Sequence, residues 1–170
     1  MESESNYPQT YTVSGVADSL GIPVNTLRTW CQRGFGPRVN NVEASGEWRR
    51  YSAEQVAEFA ALKRLSAMIE LHPAQMAIWD IVDTQAEEWR DAVRNARLRP
   101  GPMLIGIVRY QGVEAPLYFL YAGNQFQAFA TTMAEPLEAG CEGRDEFCSV
   151  QSLLVMDVGA AVSAAMQALK

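Results

Sequence analysis

Residues 11–32 read YTVSGVADSLGIPVNTLRTWCQ, and the spacing within this stretch decides the fold. Thr12 is a residue type that caps helices, and Val13, Val16, Ala17 and Leu20 recur at i, i+3, i+4 and i+7. That pattern predicts a short amphipathic helix from Thr12 to Leu20. Gly21 follows, where a left-handed turn residue is wanted. Pro23 suits the first turn of a second helix, expected from about Val24 to Gln32 with Leu27, Trp30 and Cys31 inward. Gly34 and Gly36-Pro37 end it.

Counted from Val13 as the first position, Ala17 is fifth, Gly21 ninth, Leu27 fifteenth and Trp30 eighteenth. Val16, Leu20 and Ile22 fill the other apolar slots. This is the register of a helix-turn-helix. Two helices crossing steeply need a small residue at the contact and a glycine at the turn. Apolar side chains then fix the second helix, whose outer face is free to enter a major groove.

Downstream, the polar stretch from Arg38 to Glu47, with turn signals at Asn40-Asn41 and Ser45-Gly46, reads as a small hairpin. Trp48-Arg49-Arg50-Tyr51 is its extended return. Ser52-x-x-Gln55 is a capping-box pattern opening a third helix, with Val56, Phe59, Leu62, Leu65 and Ile69 as its buried stripe. His72-Pro73 is expected to break the chain, with His72 at a helix end near free carbonyls. One long amphipathic helix then runs from Pro73 to about Leu98, with Ile78, Val82, Trp89, Val93 and Ala96 on one side. Pro100-Gly101-Pro102 marks the clearest boundary. Beyond it, Met103–Tyr110, Pro116–Ala122, Gln125–Thr132 and Phe147–Met156 read as strands. Asp157 is placed to cap a last helix, Val158 to Leu169.

The fold class expected is α+β: an N-terminal winged helix-turn-helix, a connecting amphipathic helix, and a C-terminal antiparallel sheet with a helix. The expected units are 8–72, a connecting and dimerising segment 73–99, and 100–170.

Composition narrows the function classes. Apolar residues make up 48 % and charged residues 20 %, too apolar a mixture for a disordered chain. The net charge of −6 excludes a uniformly basic DNA coat. From Thr10 to Ser52, however, Arg28, Arg33, Arg38, Arg49 and Arg50 face only Asp18, Glu43 and Glu47. A local charge of +2 therefore stands against −8 in the remainder, which suits a DNA-facing N-terminal part on an acidic body. No secretory signal or membrane span is apparent, so a cytoplasmic, nucleoid-associated protein with no membrane contact is expected. One histidine removes most His-based triads. No catalytic constellation stands out; neither enzyme activity nor a cofactor is expected.

Tyr11-Thr-Val-Ser-Gly-Val-Ala17, Gly21-Ile-Pro-Val-Asn-Thr-Leu-Arg-Thr-Trp30 and Trp48-Arg-Arg-Tyr-Ser52 together resemble the winged-helix DNA-binding domain of MerR-family transcription regulators. Excisionases share this domain. The resemblance covers about Tyr11 to Ile81. It implies recognition-helix contacts at Asn25, Thr26 and Arg28, and a wing phosphate contact at Arg49 or Arg50 beside Tyr51. Guanidinium groups fork onto phosphate or guanine, Asn reads adenine, and Thr26 and Thr29 reach phosphate oxygens. Arg33 and Arg38, from the same basic stretch, complete the expected DNA-binding set. The chain departs from the pattern at Thr29, where an aromatic is usual, at Gly15 in place of an acid, and at Pro23 in place of a capping Ser. A strand-rich module also replaces the usual short effector loop.

Trp30 is read as core and Trp48 as either a backbone flank or a brace for the wing. Alternation along a strand leaves one of Arg49 and Arg50 facing DNA. Cys141 and Cys148, in CEGRDEFC, are read as an inert pair, with soft-metal or redox sensing as the alternative. Tyr110, Tyr118, Phe119, Tyr121, Phe126 and Phe129 fill a core or an interface, or line a ligand pocket. The reading is a bacterial or phage dimeric regulator that binds double-stranded DNA. A DNA-bending excisionase and a protein-interaction adaptor are the alternatives, and a protein partner or small ligand would use the C-terminal part.

Overall fold

A computed structural model of the chain describes residues 9–38, 49–111, 114–122 and 150–169. The described residues form six helices and two antiparallel sheets, an α+β fold. Strand β1 (Tyr11–Thr12) leads into α1 (Val13–Leu20), where the Thr12 hydroxyl accepts from the Gly15 N–H at 3.1 Å. Val13, Val16, Ala17 and Leu20 are all buried, as their spacing predicts. Gly21 ends the helix at φ 60°, a conformation that costs a side-chain-bearing residue about 1 kcal/mol or more.

Helix α2 (Val24–Gln32) follows with Pro23 at its N-cap, and no side chain caps its first turn. Leu27 is fully buried, while Trp30 and Cys31 pack partly against the core. Strand β2 (Arg50–Tyr51) pairs with β1, setting Tyr11 opposite Tyr51 and Thr12 opposite Arg50. Ser52 then opens α3 (Ala53–Leu65) with both bonds of the capping box present. Val56, Phe59, Leu62 and Leu65 are completely buried.

The segment expected as one helix is two. Helix α4 (Leu71–Thr84) starts before Pro73, which occupies its first turn, so the break falls ahead of His72-Pro73. The exposed His72 is thus at a helix start, not beside terminal carbonyls. Gln85 leaves helical geometry at φ −125° and ψ 44°, and α5 (Ala86–Leu98) begins after it. The reason is tertiary. The Gln85 side-chain amide donates to the Tyr118 carbonyl at 3.2 Å and accepts from the Leu120 N–H at 3.0 Å, pairing with a sheet edge. The apolar stripe of both helices (Ile78, Ile81, Trp89, Val93, Ala96) is buried within this chain.

That sheet has the order β4-β3-β5: β4 (Leu117–Ala122), β3 (Met103–Tyr110) and β5 (Val150–Asp157), all antiparallel. Met103, Ile105 and Ile107 join the core from one face of β3. The expected strand Gln125–Thr132, with Phe126 and Phe129, lies outside the described residues, as does the start of the one expected at Phe147. Helix α6 (Gly159–Ala168) packs against α1, α3 and α5, so a single hydrophobic core spans both ends of the chain. Val158 is its N-cap, one residue later than expected. The Asp157 carboxylate nevertheless accepts from the Gly159 N–H at 2.7 Å and from the Met103 N–H at 3.2 Å. No helix among the described residues is long and apolar enough to cross a membrane.

Candidate nucleic-acid interface

The nine residues of α2 are held by little. Leu27 anchors the helix against α1, and Asn25, Arg28 and Thr29 are exposed on the outside, with Thr26 half-buried. Every third or fourth position points outward on such a helix, so one anchor suffices to present three polar side chains. The uncapped first turn keeps the positive end of the helix dipole available to an anion.

The return strand lies beside it. Arg28 and Arg49 line the same cleft of about 190 Å³, together with Val13, Cys31, Gln32 and Tyr51. Arg50 is exposed and Arg49 half-buried. The Arg49 guanidinium carbon is 5.6 Å from the centre of the Tyr51 ring, a cation–π distance. Two arginines lining one concavity suit a phosphate oxygen.

Tyr51, expected among the contacts, is 1 % exposed. Its hydroxyl is 3.3 Å from the Cys31 sulfur, and its ring meets Phe59 edge-on at 5.5 Å. Burial, and then the bond to Cys31, push the phenol well above its ordinary range, against the pull of Arg49. Tyr51 therefore stays neutral and braces α2 and β2 onto α3. The Thr29 hydroxyl donates to the Asn25 carbonyl at 2.8 Å, so it must release that bond before donating to a phosphate.

Arg33 is exposed at the end of α2. Arg38 is set apart. Its guanidinium is ion-paired with Asp83 and lies 4.6 Å from the Trp79 ring, so α4 holds it. It shares with Arg49 a second cleft of about 200 Å³, whose walls include Cys31, Tyr51, Phe59 and Trp79. The turn bearing Arg38 is clamped as well: the Gly36 N–H donates to Gln75, and the Gly36 carbonyl accepts from the Trp79 indole at 2.9 Å. Gly36 has φ 102°, and a Cβ there would come within 2.2 Å of the Phe59 ring, so only glycine fits. Trp48, most of the expected hairpin (39–48), Cys141 and Cys148 lie outside the described residues.

Sequence reading missed Gln32 as part of the first cleft, and Glu58, Gln75, Trp79 and Asp83 around Arg38. The run VAEFAAL in α3 held the one available signal, since small alanines permit burial on several faces at once.

Residues 11–74 match the family model described as MerR HTH family regulatory protein. The N-terminal part of the chain is thus similar to MerR-type helix-turn-helix domains, which points to a DNA-binding regulator of transcription. No curated protein matches the chain.

Proposed function

We propose that the protein is a sequence-specific regulator of transcription that binds double-stranded DNA as a homodimer on inverted half-sites. In this reading Asn25, Thr26 and Arg28 meet base edges in the major groove. Arg49 or Arg50 grips the flanking phosphates, with Arg33 and Thr29 adding backbone contacts. The observation that carries the reading is the outer face of α2, where exposed Asn25 and Arg28 stand beside a return strand bearing Arg49 and Arg50. Helix α6 packs mainly on α1, α3 and α5, which supports a recognition face that this helix leaves largely uncovered. Dimer contacts use surfaces other than the stripe of α4 and α5, because the protomer's own core consumes that stripe. The part from residue 100 onward contributes partner contact, oligomerisation or ligand sensing, in a cytoplasmic protein associated with the nucleoid.

Selecting bound duplexes from random DNA with the purified protein tests this directly. An inverted repeat with half-sites spaced by one helical turn, or a multiple of it, is the expected result. Light scattering of the complex should then give two protomers per site. Failure to enrich any sequence, together with binding insensitive to salt, would overturn the reading.

A further inference from the structure

Between α3, α4 and the turn after α2 lies a cleft of about 270 Å³, lined by Arg38, Glu58, Trp79, Val82 and Asp83. Glu58 is its unusual member. It is 6 % exposed, and no hydrogen bond within the described residues serves its carboxylate. Burial makes its ionised form costly, so the cleft has at its wall an acidic group whose ionised form a cation would stabilise. Its other features already favour an organic cation. Arg38 places its guanidinium over the Trp79 ring, 4.6 Å from the centre, while pairing with Asp83.

We propose that this cleft binds a small organic cation, an alkylguanidinium or alkylammonium, which displaces Arg38 from Trp79 and Asp83 and supplies Glu58 with its missing partner. The Trp79 indole in the wall argues for such a ligand over a metal ion. Hard cations require six or more oxygen ligands, whereas an indole face attracts weakly hydrated organic cations. The volume lies just below the ~300–1,000 Å³ typical of drug-sized sites, which limits the ligand to a small one.

Binding is coupled to a proton. Burial, then the charges of Glu54 on α3 and Asp83 on α4, raise the Glu58 carboxyl to about 8, with Arg38 pulling it down. Asp80, on the same helix as Asp83, is also raised by burial and by that neighbour. Glu58 is therefore protonated at neutral pH and must release its proton as the cation arrives. Affinity rises up to about tenfold per pH unit below about pH 8 and levels off above it.

The site stands independently of DNA binding and is tested on the full chain without DNA. Agmatine and benzyltrimethylammonium serve as probes, with benzyl alcohol as the neutral control. The reporter is the Trp79 indole N–H resonance, whose proton is donated to the Gly36 carbonyl. Both cations should shift this resonance saturably in the millimolar range or below, and the alcohol should not. Glu58→Gln, checked for folding by its melting curve, should weaken binding about tenfold near pH 8 and abolish the pH dependence. Arg38→Met should tighten binding by removing the resident cation. The absence of a saturable shift, equal affinity in Glu58→Gln, or unchanged affinity in Arg38→Met would each overturn the proposal.

Discussion

Helix α2 buries one of its nine residues, Leu27, whereas α3 buries eight of thirteen. The two helices are joined through Tyr51, which touches Cys31 of α2 and Phe59 of α3. Their difference shows how a small domain divides its labour. Helix α3 is the hub on which α1, α4, α5 and α6 pack. Helix α2 leans mainly on α1 and keeps its polar face outward. If α2 is the recognition helix as proposed, stability and recognition reside in different helices and should respond separately to substitution.

The largest effect is expected at the hub. Phe59 is fully buried, meets Tyr51 and fills the space beside Gly36. Phe59→Ala should destabilise the protein by about 3–5 kcal/mol in urea unfolding. A loss below about 1 kcal/mol would break the comparison, because α3 would then not be the load-carrying helix.

The hub also contains a titrating group. The Glu58 carboxyl has a pKa of about 8, against an ordinary 4.5. The folded state thus holds a proton that the unfolded state releases over this window. Glu58's contribution is fully favourable below about pH 4.5 and is lost as pH rises through about 8. Glu58→Gln removes this dependence. Its stability advantage over the parent should grow by about 4 kcal/mol between pH 4.5 and pH 9, measured by urea titration at each pH. A constant difference across the range would show that Glu58 ionises freely.

On α2 the pattern inverts. Arg28→Ala should change folding stability by less than about 0.5 kcal/mol yet weaken specific DNA binding by about 1–3 kcal/mol and relax one base position. A binding titration with unchanged affinity and preference would remove α2 from the interface. The smallest effect belongs to the return strand. Whichever of Arg49 and Arg50 meets a phosphate should, when replaced by Ala, lower the slope of log affinity against log salt by about 1. Unaltered slopes for both variants would leave β2 as a structural brace alone.

Much of this division was legible in the order of residues. Thr12, Gly21, Ser52 and Gln55 act through bonds to neighbours three or so residues away, so their roles follow from local spacing. The strand Met103–Tyr110 was equally plain, since β-branched and apolar residues cluster there between breakers. The exposed Asn25 and Arg28 followed from the register around Leu27. The division of the 73–99 segment did not, because its apolar stripe runs in phase through Gln85 and conceals the break. Arg38 read as one more arginine of a basic stretch, and Tyr51 as a contact, because a chain read in order does not show which distant side chain answers each polar group.

The sequence by itself determined the helix-turn-helix, its caps and its outward polar face, all products of interactions over a few residues. Only the tertiary structure decided that Gln85 would leave its helix for a strand edge and that Arg38 would lie on Trp79 beside Asp83. It also decided that Glu58 would be enclosed near Glu54 and Asp83. Each of these depends on groups far apart in the chain meeting in a water-poor space, where hydrogen bonding and charge pairing outweigh local preference.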